Sequence, residues 1–418
     1  MLRNILRSRK ARSTLARRLP SVPQPDDASV QIVVYFADTR VNMYQIRQWY
    51  APLAELAKTR PVAIIARSPG TMLTLLDESP VPVVYLRKVV DLERFIHSQD
   101  IKIVFYVNQN TKNFQMFRYG RMWHVFINHG ESDKMYMTTN QFKAYDYSFV
   151  AGDAARERLA RKLWDFDVER KAIPIGRPQA DHFAGALPYP ADDRTVVLYA
   201  PTWEGDRDSA AYGSIATHGV GLVTALLASA DHRVVYRPHP RSGVVDPAYG
   251  AANRAIIAAI AAANAADPTA HHVFDEGNEL GWQLAGADVA ITDVSAMVYD
   301  RLATGRPLIV TRPVSRIAEV DEGGYLGSSE WLDAADSADI VAIAERVQHS
   351  EEAQKNLHYW VERHFGDTTQ GAATARFHAA VEHLVTEWER HALLHADDAP
   401  SSEDPFDDDD DEDAIGDD

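Results

Sequence analysis

Four short stretches carry polar side chains where an apolar run stops. Trp123-His-Val-Phe-Ile-Asn-His-Gly130 delivers His129 to the end of a strand. A neutral imidazole there can accept a proton from an attacking hydroxyl, and Gly130 permits a tight turn after it. Thr195-Val-Val-Leu-Tyr-Ala-Pro-Thr-Trp203 stops at Pro201 and Thr202, whose hydroxyl and backbone N–H suit a phosphate or a base edge. His232-Arg-Val-Val-Tyr-Arg-Pro-His-Pro240 ends in Arg237 and His239, with Pro238 and Pro240 stiffening the backbone. Arginine can bond an anion in bidentate fashion, and a protonated histidine can neutralise a leaving phosphate. Ala287-Asp-Val-Ala-Ile-Thr-Asp-Val-Ser295 runs into a helix start at Ala296, with Asp300 further along. Ser295 is a natural N-cap, and a helix start offers free N–H groups to phosphate. Taken singly, each is an ordinary core histidine, turn or cap. Four such strand ends in one chain point to a cleft that binds phosphate and moves a proton.

The elements that must position them alternate. Short runs rich in β-branched and aromatic residues, at Gln31–Asp38, Val62–Arg67, Val81–Arg87, Ile101–Asn108, His124–Asn128 and Tyr145–Val150, read as buried strands. Helical stretches such as Val41–Lys58, Val89–Gln99 and Ala154–Leu163 separate them. The rhythm returns with strands at Thr195–Ala200, Arg233–Arg237, His271–Phe274, Asp288–Thr292 and Pro307–Thr311. Helices are expected between them at Val220–Ser229, Pro247–Ala263, Asn278–Ala285 and Ala296–Ala303. This predicts an α/β chain of two Rossmann-like domains, residues 29–180 and 193–394, joined by a linker at 181–192 and facing a central cleft. Helices from about Ser337 to Leu394 are expected to brace the second domain and cross back to the first.

Composition removes several classes of function. The 418 residues contain no cysteine, so thiol catalysis and thiolate-held metals are excluded. No run reaches the about 18 apolar residues of a membrane span, which predicts a soluble protein. Walker, dinucleotide-fingerprint, zincin and nucleophile-elbow motifs are missing. The formal net charge is −17, with an acidic body that argues against nucleic acid as a partner. A basic arm, residues 1–28, holds seven bases and no acid in its first 18 residues, and nothing in it reads as a secretory signal. The arm is equally compatible with an anionic membrane surface, at about 1 kcal/mol per base, and with a solvated or tail-paired state. An acidic tail, residues 395–418, is expected to be disordered.

The combination His129-Gly130 with Lys134, Ala200-Pro201-Thr202-Trp203, Arg237-Pro238-His239-Pro240, Asp293-Val294-Ser295 with Asp300, and Gly366-Asp367-Thr368 resembles the CDP-glycerol glycerophosphotransferase family of teichoic acid polymerases and primases. The resemblance spans about Gln31 to Leu384. It implies a GT-B architecture and transfer of glycerol phosphate from CDP-glycerol to a hydroxyl of a lipid-linked acceptor. It also implies release of CMP, at the cytoplasmic face of the cell membrane. It implies His129 as general base and His239, with Arg237, as stabiliser of the leaving phosphate. Pro201, Thr202, Pro238, Ser295, Ala296 and Asp300 would hold the nucleotide and its phosphates. Gly130, Glu131, Ser132, Asp133 and Lys134 would line the acceptor side, with Arg177 nearby.

Two departures stand out. Ala296 follows Ser295 where the family usually has a second hydroxyl, and Arg177 precedes Pro178 instead of following it. CDP-ribitol or another CDP-alcohol therefore stays open as donor. So do sugar transfer from a nucleotide donor in the same fold and a non-catalytic module that binds anionic polymer. No resident metal or other cofactor is expected, beyond a loosely held magnesium on the pyrophosphate.

Overall fold

The computed structural model describes residues 2–131, 138–205, 207–277 and 280–397. The expected acidic tail from residue 398 onward lies outside the described residues. Two wholly parallel sheets organise the chain. The first comprises β1 (Ile32–Phe36), β2 (Val62–Ala66), β3 (Val83–Tyr85), β4 (Ile103–Tyr106), β5 (Trp123–Phe126), β6 (Tyr147–Val150) and β7 (Ala172–Pro174), in the order β3-β2-β1-β4-β5-β6-β7. The second comprises β8 (Thr195–Ala200), β9 (His232–Tyr236), β10 (Val273–Phe274), β11 (Val289–Thr292), β12 (Leu308–Thr311) and β13 (Glu330–Leu332), in the order β10-β9-β8-β11-β12-β13. Each order reverses beside the sheet's first strand, at β1/β4 and at β8/β11. That reversal opens a crevice at the strands' carboxyl ends, where ligands of such sheets bind. Apolar residues of the central strands point into cores on both faces, which is why they read as continuous apolar runs.

Several expectations need correction. β7 and β13 went unanticipated because they are three-residue edge strands, partly exposed, with no apolar run to mark them. The single helix expected over Val41–Lys58 is broken into α2 (Met43–Arg47) and α3 (Tyr50–Leu56). Pro52 has no N–H for the Gln48 carbonyl and its ring would collide with it, so one helix cannot run through. The helix expected from Asn278 begins only at Trp282, and residues 278–279 lie outside the described set.

The terminal helices split between bracing the second domain and crossing back to the first, which moves the last one out of the domain expected at 193–394. Helix α14 (Ala372–Leu394) belongs to the first domain, not the second: Phe377, Val381 and Leu384 are buried in its core, with Phe377 against Phe105 and Phe149. Trp123 Nε1 donates to the Leu384 carbonyl at 2.9 Å. Helix α13 (Glu351–Phe365) stays with the second domain, burying Val361 and Phe365 there. Gly366, at φ +64°, ends α13 and turns the chain toward α14. The basic arm is a helix, α1 (Leu2–Arg18), docked on α4 (Pro69–Glu78). Leu15 is buried in the first core and Arg18 pairs with Asp77 at 2.8 Å.

Contacts around the linker hold α14 on the first domain, and an ion pair joins the domains. Asp181 Oδ2 accepts from the Thr374 backbone N–H and hydroxyl, both at 2.7 Å. Gly176 has φ +74°, so any side chain there would be strained, and its Cβ would also crowd Arg376 of α14 and Ala373. Arg363 of α13 pairs with Glu157 on α6 (Asp153–Lys162).

Candidate active site

The carboxyl ends of both sheets meet across a cleft of about 790 Å³, lined by residues that follow β1, β4 and β5 on one side and β8, β9 and β11 on the other. On the first-domain wall, Asn128 takes the left-handed conformation at φ 53°, which asparagine tolerates. The turn is therefore made at Asn128 and not at Gly130. Trp49 Nε1 bonds the Asn128 carbonyl and Asn128 Nδ2 bonds the Gly130 carbonyl, so the loop is fixed from within and from α2–α3. His129 Nδ1 lies 2.9 Å from the Val107 carbonyl. A carbonyl only accepts, so Nδ1 carries the proton and the ring's lone pair sits on Nε2. Tyr44 packs edge-on to this ring, centroids 5.7 Å apart.

The second-domain wall orients its histidine in the opposite sense. His239 Nδ1 accepts from the Arg241 backbone N–H at 3.1 Å, so in the neutral ring Nε2 carries the proton. Burial, and then the Arg241 charge, push its pKa below the usual histidine range. The bond from Arg241 favours the neutral ring with Nε2–H as its donor, because protonating Nδ1 would break it. Glu204 holds the loop in place by accepting from the backbone N–H groups of Gly243 (2.9 Å), Val245 (2.7 Å) and Asp246 (3.0 Å). Burial would raise its pKa, but these bonds prevail and lower it. Arg241 lies over the Trp203 ring at 3.7 Å, closing the loop against β8's end.

Other expected roles change once partners are visible. The Thr202 backbone N–H, expected to meet phosphate, donates instead to Asp293 Oδ2 at 2.7 Å. That carboxylate also accepts from Ser214 N at 3.1 Å and from the Thr311 hydroxyl at 2.6 Å. Fully buried, Asp293 has its pKa pushed up to about 6 by desolvation, against the pull of these bonds. Arg237 is held by Asp275 and by the Gly277 carbonyl at 3.0 Å, which orients its guanidinium at the cleft. Ser295 caps α11 (Ala296–Leu302), accepting from Met297 N at 3.3 Å. Arg177 and Asp300, assigned separately to substrate, form a buried ion pair between the domains, with Gly130 beside the guanidinium. Burial raises the Asp300 pKa and Arg177 opposes it. Glu131 pairs with Arg158 of α6, anchoring the loop after His129. His129, Gly130, Glu131, Arg177, Pro201, Thr202, Arg237, Pro238, His239, Ser295, Ala296 and Asp300 all line the cleft, whereas Ser132, Asp133 and Lys134 lie outside the described residues.

Residues 127–382 match the family model described as CDP-glycerol:poly(glycerophosphate) glycerophosphotransferase, more than half of the chain. The chain belongs to this family of enzymes. Its two-domain arrangement is a GT-B fold, seen at 14% identity in the wall teichoic acid polymerase TagF, with TM-score 0.55 over 93% of this chain and 98% of that one. A putative UDP-N-acetylglucosamine 2-epimerase from Listeria monocytogenes shares the fold at TM-score 0.57 and 14% identity, over 86% of this chain and 98% of its own. The UDP-GlcNAc 2-epimerase of Neisseria meningitidis does so at TM-score 0.56 and 13% identity, over 86% of this chain and 100% of its own. No curated protein matches this chain in sequence.

Sequence reasoning placed Asp293 in a motif without giving it a role, and missed the site's other supporting residues: Glu204 and Asp275 beneath the second wall, and Asp38, Gln45, Asn108 and Asn110 on the first. The available signal was a carboxylate at the end of an apolar strand, which must be hydrogen-bonded once buried. Among the described residues, no cluster of three or more His, Asp or Glu is placed to hold a metal ion, and no helix is long and apolar enough to cross a membrane.

Proposed function

We propose that this chain transfers glycerol phosphate from CDP-glycerol to a hydroxyl of a lipid-linked acceptor, releasing CMP, in the synthesis of a teichoic-acid-like wall polymer at the cytoplasmic face of the membrane. The observation that carries the reading is the pair of histidines on opposite walls of one cleft, with lone pair and proton on opposite sides of their rings. His129 Nε2 takes the proton of the acceptor hydroxyl as its oxygen attacks the phosphorus that bears glycerol. The bond from that phosphorus to the oxygen bridging toward CMP breaks, and its electron pair leaves with CMP. His239 Nε2–H donates to the departing phosphate, and Arg237, aimed by Asp275, adds positive charge beside it. Pro201, Thr202, Pro238, Ser295 and Ala296 form the nucleotide wall. The Arg177–Asp300 pair holds that wall against the base loop. The reaction so written calls on no resident metal and is compatible with magnesium carried by the diphosphate.

Peripheral membrane attachment is supported by α1, whose Arg9, Lys10, Arg12 and Arg17 are exposed. Binding of the full chain to anionic vesicles is expected to weaken as salt rises, and salt-insensitive binding contradicts electrostatic docking. The reaction itself is tested with CDP-glycerol labelled in the glycerol-bearing phosphate and a lipid-linked primer. Label entering the primer with equal CMP release is expected. Sugar transfer from a nucleotide donor without phosphorus, or exclusive use of CDP-ribitol, overturns the assignment.

A further inference from the structure

A second cavity, of about 660 Å³, lies at the other end of the first sheet. It is lined by residues that precede or begin β5, by Asp146 just ahead of β6, and by the last turns of α14. The cleft that carries His129 gathers at the carboxyl ends of the same strands, and the two share no lining residue. Phe117, Trp123 and Trp388 give the second cavity aromatic walls, and Arg121, Asp146 and His391 add polar groups. Trp123 Nε1 donates to the Leu384 carbonyl at 2.9 Å and Trp388 Nε1 to the Arg121 carbonyl at 2.6 Å. Both indole N–H groups are thus used inside the protein, and the indoles offer a ligand only carbon surface. Asp146 is held in turn by the His124 backbone N–H, at 2.8 Å from Oδ2.

Arg121 marks this cavity as more than a packing gap. It takes the left-handed conformation at φ 57°, although Gly120 stands beside it, and its side chain is exposed. That conformation is unfavourable for arginine, and Trp388 secures it from 267 residues away through the Arg121 carbonyl. Tyr119, also in the lining, is 3% exposed, and its hydroxyl has no hydrogen-bond partner among the described residues. A buried hydroxyl of this kind is normally matched by water or a ligand. Aromatic carbon surface suits the C–H faces of a pyranose ring. A carboxylate that accepts and a guanidinium that donates suit its hydroxyl groups. Because Arg121 and Asp146 carry opposite charges, their lining fits a neutral ligand better than an ion. From this we infer that the cavity between β5 and the end of α14 is a second ligand site, which binds a neutral saccharide through Trp123, Trp388, Arg121 and Asp146. The inference does not depend on the transfer reaction proposed for the cleft.

The test is saturation-transfer NMR titration of the full-length protein with the methyl glycosides of glucose, galactose, mannose and N-acetylglucosamine. Cyclohexanol, close to a pyranose in size but with one hydroxyl, serves as the apolar probe. At least one glycoside is expected to bind. Arg121→Gly should raise its Kd about tenfold while leaving Tm at or above the parental value, since glycine adopts φ 57° without strain. Trp388→Ala should weaken binding about tenfold as well, and Trp388→Phe, which keeps an aromatic face, should recover most of it. His129→Ala, in the cleft, should leave Kd unchanged, and cyclohexanol should compete only at about tenfold higher concentration. The inference fails if no glycoside binds or if Arg121→Gly leaves Kd unchanged. It fails equally if His129→Ala raises Kd as much as Arg121→Gly does, which would place the ligand in the cleft. Displacement by cyclohexanol at equal or lower concentration would show a merely apolar pocket and overturn it too. Should Trp388→Ala not fold, Arg121→Gly decides the matter alone.

Discussion

The two walls of the cleft place a histidine at the same topological position, beyond the carboxyl end of a parallel strand, and give its Nδ1 opposite hydrogen-bond partners. On the first wall a backbone carbonyl, Val107, accepts a hydrogen bond from Nδ1–H and leaves the lone pair of the neutral ring on Nε2. On the second a backbone N–H, from Arg241, occupies the Nδ1 lone pair and makes Nε2 a donor. The surroundings follow suit. Tyr44 and a shelf of amides flank His129, while Arg237, Arg241 and the Glu204-held loop surround His239. Residue type does not set the role of either histidine; the neighbouring backbone group does.

The sharpest way to break this contrast is to remove each imidazole. His129→Ala is expected to lower acceptor-dependent turnover by about 10²–10⁴-fold while leaving CDP-glycerol binding intact, read by steady-state kinetics and by calorimetry. His239→Ala is expected to lower turnover by about 10²–10³-fold and to weaken donor binding as well. Identical effects of the two variants on donor affinity would erase the distinction between the walls. Both variants should keep the parent's thermal stability, since neither histidine belongs to a core.

A smaller effect is expected one step back from the chemistry. Glu204→Gln sets an amide N–H₂ against backbone donors, leaving at least one unsatisfied at a cost of about 1–3 kcal/mol. The loop carrying His239 should loosen, with turnover reduced about tenfold and the His129 wall unaffected. A Glu204→Gln enzyme with parental kinetics would show that the loop needs no such clamp.

The mildest effect is in pH dependence. Asp293 is raised to about 6 in the folded chain, so its stabilising contribution is full below the ordinary carboxylate range and is lost as pH rises through about 6. Thermal denaturation between about pH 4 and 6 should record that loss, and Asp293→Asn should flatten it. His239, lowered, acts with the opposite sign: its contribution is lost as pH falls below the usual histidine range.

Much of this was legible in the chain because the strands that carry the site are central and buried on both faces. Val33, Ile65, Val104 and Leu198 sit in runs with no polar interruption, so strand ends, and His129 and His239 with them, could be found by where the runs stop. The partners could not. Thr202 and Asp293 are 91 residues apart, Arg237 and Asp275 are 38, and no local pattern links them. The return of α14 was equally hidden in detail. Its amphipathic spacing marks a buried face, but that Phe377 meets Phe105 and Phe149 rather than the second sheet depends on the path from Gly366. Pro52, by contrast, was a readable break in the expected helix after β1.

The most direct test of the two-wall account is the tautomer of each histidine, measured by long-range ¹H–¹⁵N correlation in the histidine-labelled full-length protein at neutral pH, with His129→Ala and His239→Ala samples for assignment. The account predicts Nδ1–H with an unprotonated Nε2 for His129, and Nε2–H with an unprotonated Nδ1 for His239. The same tautomer at both positions, or a doubly protonated His239 at that pH, would contradict it.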